Sequence, residues 1–374
     1  MTEIAGTAPQ RFARLKDAFA ALFDEGQELG AQFAVAVDGE VVVDLRGGFA
    51  DRARTRPVAA DTLFPVFSTG KAVMALMTAR LVEAGKLDYD QAIASIWPEF
   101  GQAGKAAITV AQELSHQSGL PGFSTPQDPT IWFDREAVLR VLAAQAPMWP
   151  LGTGSGYQPV TVGFLMDEVF RRVDGRSMGQ ALAQDFRLPS GIDCWIGLPE
   201  SEHGRTAEIQ KPTSAPDLGE LDAVKRAAFL DRGSAPGGRG TGEWRKLEIP
   251  SANAHATAPA LARLLGVIAT GGRMDGKVVL SPPVLAQAVR ERIAGPDKVL
   301  PFTLSWAAGF LRNRGIRIYG PGELALGHSG WGGSCAFADP ETRVSAAYVM
   351  NKQSAHLIGD PRPLKLIEAL YAAL

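Results

Sequence analysis

The 374-residue chain predicts an α/β fold in which one sheet is assembled from both ends of the sequence, with a mainly helical region inserted between them. Three observations predict it. Strand-like runs lie early, at 33–37 and 41–45, and late, at 306–311, 316–319, 334–338 and 345–350. Residues 86 to about 250 instead alternate helical periodicity with Pro/Gly-rich loops. The composition, 46% hydrophobic and 21% charged, is that of a globular protein large enough to bury a substantial core. The expected division is an α/β domain from 1–85 and 251–374 together, and a helical insert domain over 86–250.

The elements follow in order. Phe12, Leu15, Phe19, Leu22 and Phe23 share one face of a helix over 10–28. Asp38-Gly39 joins the two early apolar runs as a tight hairpin turn. The run Leu63-Phe64-Pro65-Val66-Phe67 is strand-like and leads into a helix over 69–84, with Gly85 as its stop. Helices are expected at 109–116, 134–145, 160–173 and 177–186. Two long irregular stretches, 199–219 and 231–244, carry Gly, Pro, Ser and charge, and loops of that length are often functional. A helix over 256–270 precedes the late strands, Asp339-Pro340-Glu341-Thr342 turns between the last two, and a helix over 361–373 closes the chain.

Bulk properties narrow the function. A net charge of −2, with no Lys/Arg stripe, gives no electrostatic case for nucleic acid or an anionic membrane. Two distant cysteines, Cys194 and Cys335, form no disulfide framework and read as small buried hydrophobes. No leader pattern or membrane-length apolar run is visible, so the expected location is cytoplasmic. The histidines lack ligand spacing, and no metal or organic cofactor is expected. Oligomeric state, monomer or homo-oligomer, leaves no mark.

The chemistry concentrates at Ser68-Thr69-Gly70-Lys71. A Ser and a Lys three apart at a helix entrance share a face, which places a nitrogen base beside a hydroxyl. Taken alone, this pattern is more often an N-cap serine with a solvated first-turn lysine. The helix behind it is apolar almost all round, which marks it as buried and leaves Lys71 few routes to water. Burial or a neighbouring cation lowers a lysine pKa, and the amine can then take a serine proton. Two further segments suit that chemistry. Gly154-Ser155-Gly156-Tyr157 can project a phenol into a cleft, although half-buried loop tyrosines are common. Gly327-His328-Ser329-Gly330-Trp331-Gly332-Gly333 leads into a strand, and its glycines allow close approach to backbone. An N–H near Trp331 can pair with that of Ser68 as an oxyanion hole, or the segment is simply a Gly-rich loop.

In this order, the three segments resemble the serine β-lactamase and penicillin-binding-protein superfamily. The similarity is nearest to the class C β-lactamase-like branch, which includes the family VIII carboxylesterases. Leu114-Ser115-His116-Gln117-Ser118-Gly119-Leu120 and Pro250-Ser251-Ala252-Asn253 also resemble that branch. The resemblance implies an antiparallel sheet flanked by helices. It further implies Ser68 as nucleophile, Lys71 and Tyr157 as its acid/base pair, and His328-Ser329-Gly330 as the third motif. β-Lactamases of this branch usually carry Tyr-x-Asn and Lys-Thr-Gly, where this chain has Tyr157-Gln158-Pro159 and His328-Ser329-Gly330. Losing that amide and that cation favours neutral short-chain esters over β-lactams. The expected partner is thus a small-molecule ester. A β-lactamase or D-amino-acid peptidase using the same site, and a non-catalytic binding protein of the same fold, are the alternatives.

Gly175-Arg176-Ser177-Met178-Gly179 matches a G-x-S-x-G nucleophile elbow, but it follows a helix rather than a strand. Ser177 with Gln180 reads as a capping box. His116 and His255 read as orienting or structural. Trp132, Trp149, Trp306, Trp331 and Phe123 are candidates for an acyl pocket, with Trp331 foremost because it adjoins the third motif.

Overall fold

The computed structural model describes residues 2–374. Nine strands form one antiparallel sheet. Their order across it is Ile4–Thr7, Glu40–Gly48, Gly30–Val37, Val344–Met350, Cys335–Asp339, Leu326–Ser329, Leu311–Arg312, Thr303–Trp306 and Ile293–Pro296. The first and last parts of the chain meet where Gly30–Val37 pairs with Val344–Met350, with Ala34 opposite Ala347.

Strand alternation sorts residues by size between the two faces. Ala34, Ala336, Ala338 and Ala347 face the cluster that holds the helix Ala258–Ala269. Small side chains there let the helix lie close against the sheet. Phe33, Val35, Phe337 and Tyr348 point the other way, against Phe12, Leu15, Phe19 and Leu22 of the first helical segment and Leu366 and Leu370 of the helix Pro361–Tyr371. The helix Gly70–Glu83 belongs to the alanine side. Eleven of its fourteen residues are buried, including Lys71.

Several local expectations need correction. Residues 316–319 form an irregular loop, not a strand. The Asn313 amide donates to Gly320 O and Gly322 O and accepts from Tyr319 N–H, which draws the segment into a loop. The run 306–311 is interrupted. Trp306 pairs with Leu311 across a tight turn, and at Gly309 an added Cβ would lie 2.7 Å from Ala75 Cβ. Only Phe64–Pro65 of the run 63–67 is strand, paired with His255–Ala256. Leu326–Ser329, which holds most of the third motif, is itself a strand.

Candidate active site

Past Phe64–Pro65 the chain makes a single turn, Phe67–Thr69, and enters the helix Gly70–Glu83. Phe67 has φ +49°, the left-handed region that bulky residues avoid at a cost of about 1–3 kcal/mol. That turn presents Ser68 to a cavity. Thr69, not Ser68, occupies the N-cap position, and no side chain caps this helix. Gly70 is pressed onto the 250–254 segment, where a Cβ would lie 2.7 Å from Pro250 O.

Lys71 is 1% exposed and lies beside Ser68. Its Nζ donates to Pro159 O at 2.8 Å and Ser251 O at 2.9 Å, and stands 3.2 Å from Ser68 Oγ. No carboxylate pairs with it among the described residues. Burial holds its pKa well below the usual lysine range. Carbonyl oxygens only accept, so the two contacts fix two N–H bonds of a neutral amine. The remaining direction, the lone pair, then faces the Ser68 hydroxyl.

Tyr157 lines the same cavity as Ser68, and Lys71 Nζ lies 4.7 Å from its ring centroid. Burial pushes the phenol pKa upward, so the phenol keeps its proton at neutral pH. The Tyr157 loop is held by Asp297, a residue the sequence reading missed. Asp297 Oδ1 accepts from the backbone N–H of Tyr157, Val299 and Leu300, all at 2.9–3.0 Å, while Oδ2 accepts from Ser155 Oγ at 3.1 Å. His116 packs edge-on against Tyr157 and Trp306, and its Nδ1 accepts from Gln158 N–H. Gln158 turns its own amide inward, donating to Glu113 and Leu120 O. Glu113 is buried, and desolvation raises its pKa to about 7.

The third motif closes the site. Leu326–Ser329 pairs antiparallel with Cys335–Asp339, and Gly330 follows. A Cβ on Gly330 would lie 2.4 Å from Val66 O and 2.9 Å from Thr69 Oγ1, so glycine is what lets this strand end touch the turn that carries Ser68. Trp331 comes next and, with Ser68, lines the cavity. Behind it, Arg362 donates to Gly332 O at 2.6 Å and is itself paired with Asp360 and Glu28. His328 is buried with its Nδ1 2.8 Å from Ser329 O, and burial draws its pKa down to about 3. It carries no charge at neutral pH. Ser329 Oγ lies 3.1 Å from the Tyr319 hydroxyl.

The cavity has a volume of about 340 Å³. Tyr157, Trp306, His328, Ser329 and Trp331 line it, together with Trp244 and Arg239, which the sequence reading did not single out. Residues from 215 to 239 form much of its wall, which gives the irregular stretch a place beside Ser68. Trp132 and Phe123 instead stack on each other in the core, and neither they nor Trp149 lines the cavity. His255 is buried against Trp244. Ser177 caps the helix Met178–Leu182 in a capping box with Gln180 and donates to Glu248, away from the cavity. Cys194 and Cys335 are free and buried. Among the described residues, no cluster of His, Cys, Asp and Glu is placed to hold a metal, and no helix is long and apolar enough to cross a membrane.

Comparison with known proteins identifies the family and the fold. The Beta-lactamase family model matches residues 15–369. The chain is 36% identical over 370 residues to the esterase/beta-lactamase LipL of Mycobacterium tuberculosis, covering 95% of this chain and 84% of that one. Its structure is similar to that of a penicillin-binding protein homologue from Caulobacter crescentus, with a TM-score of 0.98 and 57% identity. It is also similar to a family VIII carboxylesterase, with a TM-score of 0.93 and 38% identity. Both structural matches cover 100% of each chain. A match that runs from the first helix to the last, on a sheet built from both chain ends, makes this chain a member of the beta-lactamase family.

Proposed function

We propose that this chain is a serine carboxylesterase of the class C-like branch, acting in the cytoplasm on short-chain carboxylic esters through an acyl-enzyme on Ser68. The observation that carries the reading is Lys71: a buried amine without a carboxylate partner, 3.2 Å from the Ser68 hydroxyl. Its neutral form takes the Ser68 proton as Oγ attacks the ester carbonyl. The backbone N–H groups of Ser68 and Trp331 receive the developing oxyanion. Tyr157, which retains its proton, relays that proton to the departing alkoxide, so the alcohol leaves neutral. Water then adds to the acyl carbonyl, its proton passes to the same pair of groups, and the acid departs as Ser68 regains its hydrogen.

Ester rather than lactam cleavage is supported by two features. Neutral His328 offers no charge where the β-lactamases of this branch carry a lysine, and Gln158 turns its amide onto Glu113 instead of into the cavity. The similar family VIII carboxylesterase supports the same reading, while LipL is named for both activities. The test sets a chromogenic cephalosporin beside p-nitrophenyl butyrate with one enzyme preparation. Ester turnover that dominates by orders of magnitude is expected, and dominant lactam turnover would replace this reading with a β-lactamase.

A further inference from the structure

One charged side chain stands in the wall of the cavity, and the reaction above gives it no task. Arg239 comes from the irregular 231–244 stretch and lines the same space as Ser68. Its guanidinium carbon sits 4.1 Å from the centroid of the Trp331 ring and 5.7 Å from that of Phe67. These rings belong to the residue that offers the second oxyanion N–H and to the residue just before the nucleophile. Their centroids are 6.2 Å apart with the rings edge to face, and both line the cavity beside Ser68.

Arg239 has no ion-pair or hydrogen-bond partner among the described residues, whereas most other arginines of the chain are paired with Asp or Glu. None of its nitrogens is sealed from the cavity or from solvent. The guanidinium is half-buried, and burial draws its pKa down to about 10, which leaves it cationic at neutral pH. No Asp or Glu lines the cavity to neutralise it, and His328 and Tyr157 are uncharged there. A planar, fork-shaped donor packed against the Trp331 ring, with no carboxylate of its own, suits a bidentate carboxylate ligand.

We propose that Arg239 is a specificity-determining residue and that the cavity takes esters bearing a free carboxylate, such as monoesters of aliphatic dicarboxylic acids. This rests on the esterase reading and revises the expectation of neutral esters drawn from His328. The third motif lacks a cation, and the loop supplies one on a different wall.

The test compares p-nitrophenyl hemiadipate with p-nitrophenyl hexanoate, which replaces the terminal carboxylate with a methyl group. Wild type is expected to favour hemiadipate in kcat/KM. In Arg239→Leu, kcat/KM for hemiadipate falls about 10- to 100-fold, the worth of one charge-assisted contact, and the preference disappears. Arg239→Lys retains part of the preference, and added salt weakens it in wild type. A wild type that prefers hexanoate, or equal losses on both esters in Arg239→Leu, would overturn the proposal.

A second arm does not depend on turnover. Adipate binding to the intact chain is followed by calorimetry and by tryptophan fluorescence, since Trp331 and Trp244 line the site. Adipate is expected to bind wild type more tightly than hexanoate, and at least tenfold more weakly to Arg239→Leu. Adipate binding without ester hydrolysis would keep this anion site and remove the esterase reading. Ester hydrolysis with no adipate binding and no hemiadipate preference would do the reverse.

Discussion

Replacing Asp297 with alanine should cost both stability and turnover. Asp297 is 8% exposed, and its Oδ1 alone accepts three buried backbone N–H groups, those of Tyr157, Val299 and Leu300. A buried donor left without a partner costs about 1–3 kcal/mol. Three of them give about 3 kcal/mol at the low end, where water enters the gap, and about 9 kcal/mol if none does. The lower figure is already a large part of the roughly 5–15 kcal/mol that holds a domain folded. Asp297→Asn keeps an oxygen at the Oδ1 position and can retain all three contacts without the charge, so its loss should be smaller, about 1–2 kcal/mol. Urea unfolding measures both variants. Because Tyr157 is fixed through its own N–H, the alanine variant should also lose about 10²-fold in kcat on p-nitrophenyl butyrate, the usual effect of displacing a catalytic group by about 1 Å. An alanine variant within about 1 kcal/mol of wild type, or an asparagine variant as damaged as the alanine one, would refute the reasoning.

Other perturbations probe the rest of the site. Activity requires neutral Lys71, whose pKa burial depresses, so kcat/KM should persist at neutral pH and fall as pH drops through that lowered pKa. A pH–rate profile that stays flat at low pH and climbs only near the ordinary lysine value would contradict this. Gly330→Ala places a methyl group 2.2 Å from Ser334 Oγ and 2.4 Å from Val66 O, forcing the third motif off the nucleophile turn. Its kcat should fall by about 10²–10³, as when an oxyanion donor is lost, with circular dichroism unchanged. Ser177→Ala removes an N-cap and should lower stability by about 0.5–2 kcal/mol in urea while esterase activity remains. A folded but inactive Ser177→Ala would move the nucleophile to that serine.

Much of the frame was legible because local signals and tertiary structure agree. Asp38-Gly39 sets the hairpin, and the pairing of Gly30–Val37 with Glu40–Gly48 follows it. Several strand-level readings failed for local reasons. Gly327-His328-Ser329 has no β-branched side chain, so Leu326–Ser329 gave no strand signal, although it pairs in the centre of the sheet. Ile316–Tyr319 has the right residues, but the Asn313 amide bends it. The edge strands Ile4–Thr7 and Ile293–Pro296 are short and lie half-exposed or exposed, with no alternating apolar pattern to mark them.

The site divides in the same way. Ser68 and Lys71 sit one helical turn apart, a relation that sequence spacing expresses directly. Tyr157 and the 328–330 segment were noticed from their glycine settings and placed in the site by resemblance. Asp297 and Glu113 make their contacts across long sequence separations and carry no motif, and Trp244 and Arg239 were marked only as part of the irregular 231–244 stretch, not as individual residues. The aromatic candidates show the limit of composition. Trp306 and Trp331 line the cavity, while Trp132 and Phe123 fill the core, and their side chains alone do not distinguish those fates.

The proposed mechanism requires the Ser68 oxygen to become covalently bonded to the acyl group. Brief exposure to a fluorophosphonate, followed by peptide mass spectrometry, reads this directly. One phosphonyl adduct on the peptide containing Ser68 is expected, absent in Ser68→Ala, together with loss of ester hydrolysis in that variant. An adduct on any other serine, or undiminished hydrolysis by Ser68→Ala, would contradict the account.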